Sequence, residues 1–249
     1  MRFKKTILLS VAAIGLLSGR SALADVIGHD RVQQIWSGAS ELEAYYAPMF
    51  IKGGDSCNPY PGVDQWGNVS GGLAPSGAPD GHCRSESGQV YSRKAEYHGK
   101  CAIMYSFYFP KDQPPNWLGT GPGHRHDWEN IVVWLNGGCW KGASIYKINY
   151  SNHGSYTANW NPPTWTGQTG LLAWGVHPKV TVKATYAGFA DHVLDSSNGW
   201  GYTMPLVGWD NIPQAAKNAL NWYDFGAANV PHKDGGSFWN NLNKAWDKN

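Results

Sequence analysis

The sequence predicts a mainly β, single-domain β-sandwich with short helices at its periphery. Three observations carry this. Aromatic residues make up 14% and charged residues only 15% of the 249 positions, and so many large rings supply burial energy that disordered chains lack. The 31 Gly and 15 Pro interrupt every long window, which argues against a coiled coil or helical bundle. Apolar runs rich in β formers recur between stretches dense in Gly and Pro.

Residues 1–24 read as a secretory signal peptide. Arg2, Lys4 and Lys5 precede the apolar run Ile7–Leu17, and Ala22-Leu23-Ala24 offers a small-x-small cleavage site. The run is too short for a convincing membrane span. The mature domain is then 25–249, with no repeat or linker. Cleavage removes four of the 20 Lys and Arg and none of the 18 Asp and Glu, so the basic character belongs to the leader. No basic run remains to mark nucleic acid or an anionic membrane surface as partner. No apolar span of about 20 residues marks a transmembrane helix in the mature chain.

A leader implies an oxidising compartment, where four Cys read as two disulfides. Three pairings are possible. Cys57 and Cys83 bracket a loop of Gly, Pro, Asn and Ser that cannot fold on its own contacts. Cys101 and Cys139 sit on apolar, strand-like runs. The expected bridges are Cys57–Cys83 and Cys101–Cys139. Zinc is poorly supported, because no C-x-x-C pair occurs.

Along the chain, Ser40-Glu41-Leu42-Glu43 has the capping-box pattern, so a short helix should follow and stop before Pro48. Residues 53–88 read as loop. Cys101–Phe109 (CAIMYSFYF) reads as a buried strand closed by Pro110. A loop over 110–123 precedes strand runs at Trp128–Leu135 and Ser144–Tyr150. Residues 151–178 read as a second long loop, and Val180–Tyr186 alternates as a half-exposed strand. Pro213–Leu220 reads as a helix with Pro in its first turn. Ser237 should cap a last helix whose Phe238, Leu242 and Ala245 share a face. The two long loops exceed the usual limit of about 12–15 residues, which points to function. They flank one strand pair and should meet at one end of the sandwich.

Between them lies Gly123-His124-Arg125-His126-Asp127-Trp128-Glu129. Five of these seven residues ionise or coordinate. If the strand has begun, residues 125, 127 and 129 share a face. Asp112 closes the preceding strand. Asp112, Asp127 and Glu129 with His124 make three carboxylates and one imidazole. Adjacent carboxylates repel unless a cation or proton neutralises them. An oxygen-rich set favours Mg²⁺ or Ca²⁺. The competing reading is a solvated salt-bridge network around Arg125 with Trp128 in the core. His126 could be an inner hydrogen-bonding residue or a general acid or base. His29, His98, His153, His192 and His232 stand alone and read as satisfied structural or surface residues.

GHRHDWE, preceded by FYFPKD, resembles the heptapeptide and approach strand of the necrosis- and ethylene-inducing-peptide-like proteins, secreted toxins of plant-associated microbes. CNPYPGVDQWGNVSGGL at 57–73 and DFGAANVPHKDGGSFWNNLNKA at 224–245 agree with it. The four-Cys count resembles the family's second type. The resemblance implies a lectin-like β-sandwich similar to actinoporins, and a non-enzymatic role in cytolysis of eudicot plasma membranes. It implies glycosylated inositol phosphorylceramide sphingolipids as receptor class, with the sugar near a divalent metal. The implied metal residues are Asp112, His124, Asp127 and Glu129. His126 is implied as functionally required, and Arg125 and Trp128 complete the motif. The spacer QPPNWLGTGPG, 113–123, is longer than usual for the family and bears on target range. The family also uses an exposed Trp for membrane contact, for which Trp165, Trp174 and Trp117 are the candidates.

Two other classes compete. One is a secreted metal-dependent hydrolase using His126 with Asp127 or Glu129. The other is a carbohydrate-binding module using Trp platforms. The absence of H-E-x-x-H and G-x-S-x-G removes the commonest hydrolase motifs. Oligomeric state is not legible in the sequence.

Overall fold

A computed structural model describes residues 25–113, 123–184 and 192–248. The leader, Trp117 and most of the 113–123 spacer lie outside them. The elements run β1 (Val26–Ile27), α1 (Glu41–Tyr45), β2 (Met49–Ile51), β3 (Val69–Ser70), β4 (Val90–Tyr97), β5 (Lys100–Asp112) and β6 (His124–Leu135). They continue as β7 (Ile145–Asn152), β8 (Ser155–Asn159), β9 (Thr164–Thr169), β10 (Leu172–Ala184), β11 (His192–Ser196), β12 (Leu206–Gly208), α2 (Gln214–Trp222) and α3 (Ser237–Trp246).

The principal sheet has six strands in the order β12-β4-β5-β6-β7-β8. A four-stranded sheet of β11, β10 and β2, with β9 on β10, packs against it. Alternation along β5 sorts its side chains. Ile103, Tyr105, Phe107 and Phe109 enter the main core, where Phe50 of β2 meets Phe107 at a ring separation of 5.5 Å. Ala102 and Met104 face the other way, with Val132 and Trp134 of β6, and are covered by Phe238, Leu242 and Ala245 of α3. β5 is therefore buried on both faces, which is why it reads as a continuous apolar run.

Both expected disulfides form, Cys57–Cys83 and Cys101–Cys139. The Ser40 capping box also forms, with Glu43 as its reciprocal partner. Other boundaries differ from expectation. β5 runs through Pro110 to Asp112, since Pro110 faces no ladder partner and its carbonyl accepts from Leu73 N at 2.7 Å instead. β6 begins at His124 rather than Trp128, so the charged heptapeptide is itself strand. The supposed loop 151–178 holds β8, β9 and the first half of β10, whose Thr, Ser and Asn hide a strand pattern. Within 53–88, Val69–Ser70 forms a two-residue strand, β3, on β1. Pro213 is the N-cap of α2, not a first-turn residue. Gly236, in a left-handed conformation at φ 102°, takes the N-cap of α3, and the Ser237 hydroxyl donates to Val230 O instead.

Candidate functional site

The site is set by the pairing of β5 with β6. Phe107 lies opposite Glu129, Phe109 opposite Asp127, and Asp112 opposite His124. Glu129 and Asp127 thus continue the inward row of Leu135, Val133 and Ile131 toward one end of the sandwich. Carboxylates on an apolar row lose solvation. Burial, then the negative charge of Asp127 and of Asp112, pushes the Glu129 carboxyl well above the usual carboxylate range. The Ser151 hydroxyl of β7 donates to Glu129 Oε2 and accepts from Asn130 N.

His126 breaks the alternation. It adopts φ 60°, a left-handed conformation rare for a residue with a side chain. The irregularity falls opposite Pro110, which has no N–H to offer the ladder. A regular strand would send His124 and Asp127, three apart, to opposite faces. Here both line one cavity. The His124 Nδ1–H donates to the His126 carbonyl at 2.7 Å, and its Nε2 stands 3.8 Å from Asp112 Oδ2. The expectation that Arg125 shares a face with Asp127 and Glu129 is therefore corrected. The Arg125 guanidinium donates to Gly71 O at 2.8 Å and does not line the cavity.

The His126 ring turns inward to Tyr108, 2.7 Å from its hydroxyl, with Phe225 edge-on at 5.3 Å. Burial, with Arg125 and His124 adding repulsion, pulls its pKa down to about 4. The imidazole is neutral at neutral pH. Gly72 leaves room for it: a Cβ there would stand 2.8 Å from the ring. Trp128 is core, packed against Tyr91, Tyr108 and Phe225.

The resulting cavity encloses about 590 Å³. His124, Asp127 and Glu129 form one wall, and Ser151, His153 and Tyr156 of β7, β8 and their turn form another. Residues 227–241 close it, and Lys233 and Lys244 also line it, the Lys244 ammonium donating to Gly154 O at 2.9 Å. A small adjoining cavity is lined by Asp112, Asp127, Glu129, Val182 and Val193. All four expected metal residues thus converge around Asp127. Among the described residues, no three His, Cys, Asp or Glu side chains are drawn close enough to make a ready metal shell. The donor chemistry suits a hard divalent ion, but side chains must close in to bind one.

His153 and Ser151 are site residues that residue density alone did not mark, since they arrive from other strands. The C-terminal wall falls within the segment 224–245 quoted for the resemblance. His153 is a surface residue as expected, yet it lines the cavity; His232 departs from expectation, since it is fully buried and its ring nitrogens have no hydrogen-bond partner among the described residues. The side chain of His192 lies outside the described residues. Trp165 and Trp174 sit on β9 and the early part of β10. By strand rise, Trp174 lies about 26 Å from Val182, which lines the adjoining cavity, and Trp165, paired with His177, lies about 17 Å along from it. Trp174 is 67% exposed.

Fold and site together define a β-sandwich protein with an acidic, imidazole-bearing cavity at one end. The family model "Necrosis inducing protein (NPP1)" matches residues 40–245, and the chain belongs to that family. The chain is 41% identical over 220 residues to "Necrosis-inducing protein NPP1" of Phytophthora nicotianae, covering 85% of this chain and 87% of that one. The solved complex "NLPPya in complex with mannosamine" superposes with a TM-score of 0.72 at 38% identity, over 88% of this chain and 98% of that one. "Non-toxic HaNLP3 protein" superposes with a TM-score of 0.76 at 30% identity, over 88% and 98%. The fold is thus shared by a non-toxic relative.

Proposed function

We propose that the mature chain is a secreted, non-enzymatic cytolysin. In this reading it binds glycosylated inositol phosphorylceramide headgroups on plant plasma membranes through a divalent metal and damages the membrane. The observation that carries the reading is the cavity of about 590 Å³ whose lining includes Asp127, Glu129 and His124 together with Lys233 and Lys244. Acidic and basic side chains lining one cavity suit a headgroup with both hydroxyls and a phosphodiester. A sugar ligand is supported by the amino-sugar complex of a relative.

Asp112, His124, Asp127 and Glu129 would hold the metal, Mg²⁺ or Ca²⁺. When bound, that ion would neutralise the carboxylates and offer sugar hydroxyls a positive centre. The chain's own residues do the rest. Ser151 orients Glu129, His126 turns His124 into the cavity, and the lining lysines would attract the phosphodiester. Among the described residues no helix is long and apolar enough to cross a membrane.

The test is dye release from vesicles made with and without plant glycosylated inositol phosphorylceramide, with and without chelator. Headgroup integrity is assayed in parallel. Release that needs lipid and metal, with intact headgroups, supports the reading. Headgroup consumption would establish the hydrolase instead, and binding without release the carbohydrate-binding module.

A further inference from the structure

The strand that delivers Asp112 ends in a clamp. Its last pairs with β6 are Lys111 opposite Arg125 and Asp112 opposite His124, and the ladder is interrupted just before them at Pro110, which has no N–H to give. Lys111 and Gln113 flank Asp112, and all three residues are buried. The Lys111 ammonium donates to Ser76 O at 3.2 Å, to Ala78 O at 2.8 Å and to Gln113 Oε1 at 2.9 Å. Gln113 Nε2 donates to Gly77 O at 2.7 Å. The two side chains thus take the carbonyls of three consecutive loop residues. Three carbonyls in a row face one side only where the chain leaves the extended form, and Gly77 does so with φ 73°.

Burying a lysine is costly unless its hydrogen bonding is complete. A buried ammonium gives up its hydration, and only a full set of hydrogen bonds offsets that loss. Lys111 meets the condition with three neutral oxygens for its three N–H groups. An apolar side chain would fill the space without that cost, but would leave the carbonyls of Ser76 and Ala78 without these donors. The clamp fixes the 76–78 loop to the end of β5, where the ladder itself is weak. Leu73 N, which donates to Pro110 O at 2.7 Å, makes the neighbouring tie. The Cys57–Cys83 bridge closes the segment that contains the loop.

The clamp reaches the candidate site through Asp112. Gly123, the first residue of the heptapeptide, packs directly on this backbone: a Cβ there would stand 2.4 Å from Asp112 O and 3.1 Å from both Gln113 Cα and Pro75 Cβ. Asp112 is thus held between the loop and the start of the strand that carries His124, Asp127 and Glu129. Lys111 and Asp112 also line the small cavity together with Asp127 and Glu129. His124 Nε2 stands 3.8 Å from Asp112 Oδ2, so the donors must close in to hold an ion. Mg²⁺ demands oxygens at about 2.1 Å in near-ideal geometry, so the placement of Asp112 bears directly on affinity. We infer that Lys111 and Gln113 are positioning residues, which lock the 76–78 loop onto β5 and thereby hold Asp112 where a divalent ion can recruit it. The inference rests on the metal reading in the proposed function.

The test is calorimetry of Mg²⁺ and Ca²⁺ binding to the mature, oxidised protein, with hydrogen exchange over 73–83 in parallel. K111M keeps the stem and removes the donors, and Q113L removes the amide while leaving the ammonium. Each should bind the ion about tenfold more weakly than wild type, with faster exchange over 73–83. C101A/C139A is the control for lost stability alone, because that bridge lies at the other end of β5 and β6. It should bind the ion as wild type does. Wild-type affinity in both K111M and Q113L would overturn the positioning role, as would an equal loss in C101A/C139A. Weaker binding with unchanged exchange would overturn the route through the loop. Should K111M fail to fold, Q113L decides alone. Failure of the wild type to bind either ion would overturn the metal reading itself, and this role with it, so the wild-type titration tells the two failures apart.

Discussion

His126 Nδ1 and the Tyr108 hydroxyl lie 2.7 Å apart, and that hydroxyl donates onward to Ser70 Oγ at 2.9 Å. The chain of bonds ties β6 through β5 to β3 at the residue whose φ of 60° breaks the strand alternation. His126 therefore positions His124. H126N should keep the backbone, because Asn tolerates the left-handed region. H126V should not, since a β-branched residue there is a genuine outlier. H126V is expected to lose about 1–3 kcal/mol of stability and most of the sugar binding proposed above, with H126N between it and wild type. Urea unfolding beside calorimetry checks this. Equal behaviour of H126V and wild type would refute the positioning role.

Glu129 gives a second expectation. Its anion is disfavoured by burial and by Asp127 and Asp112. A bound cation would relieve that cost. Millimolar Mg²⁺ or Ca²⁺ should raise the melting temperature of the wild type by mass action. E129Q should melt at or above the metal-free wild type and show no such rise, and D127N should also lose the rise. Thermal scans with and without chelator measure this without reference to toxicity. An undiminished metal response in both variants would remove the assigned donors.

The bridges differ in what they hold. Cys57–Cys83 closes a separation of 26 residues, Cys101–Cys139 one of 38. The chain-entropy model gives about 3–4 kcal/mol for each. Cys57 lines the small cavity beside Asp112, whereas Cys101 and Cys139 lie at the other end of β5 and β6. C101A/C139A should therefore unfold at lower denaturant yet keep the sugar binding proposed above. C57A/C83A should lose stability and binding together. Identical binding loss in both pairs would contradict this division.

How much was legible in sequence follows from range. Cys57 and Cys83 were readable because a Gly- and Pro-rich segment needs a staple. The main core was readable because β5 is apolar throughout. The left-handed turn at His126 was not, since it arises from Pro110 lying opposite across a ladder. Two-residue periodicity accordingly misplaced Arg125. Ser151 and His153 were invisible as site residues, because nothing local distinguishes them before β7 pairs with β6. β9 was lost for a different reason: its TWTGQT pattern carries one large apolar ring, Trp165, and a Gly.

His232 supplies the last expectation, a pH dependence of folding. The ring is fully buried, stacked on Tyr91 at 5.4 Å, with Trp209 and Trp128 edge-on at 5.2 and 5.8 Å. Burial, then the Arg93 guanidinium, pulls its pKa down to about 3, against a smaller opposing pull from Asp234. In the unfolded chain the same ring titrates near ~6.5. Below that pH the unfolded state takes up a proton that the folded state refuses, so falling pH favours unfolding. The contribution from neutral His232 is full above about pH 6.5 and drains toward about pH 3, at up to about 1.4 kcal/mol per pH unit. H232F keeps a flat ring and removes the titration. It breaks no hydrogen bond among the described residues, where neither ring nitrogen has a partner. Urea midpoints should therefore be similar for the two proteins at neutral pH. Between about pH 6.5 and pH 4 the wild type should lose roughly 3 kcal/mol more than H232F. Parallel curves over that span would show that His232 titrates in the fold as it does in the open chain, and the buried neutral imidazole would have to be given up.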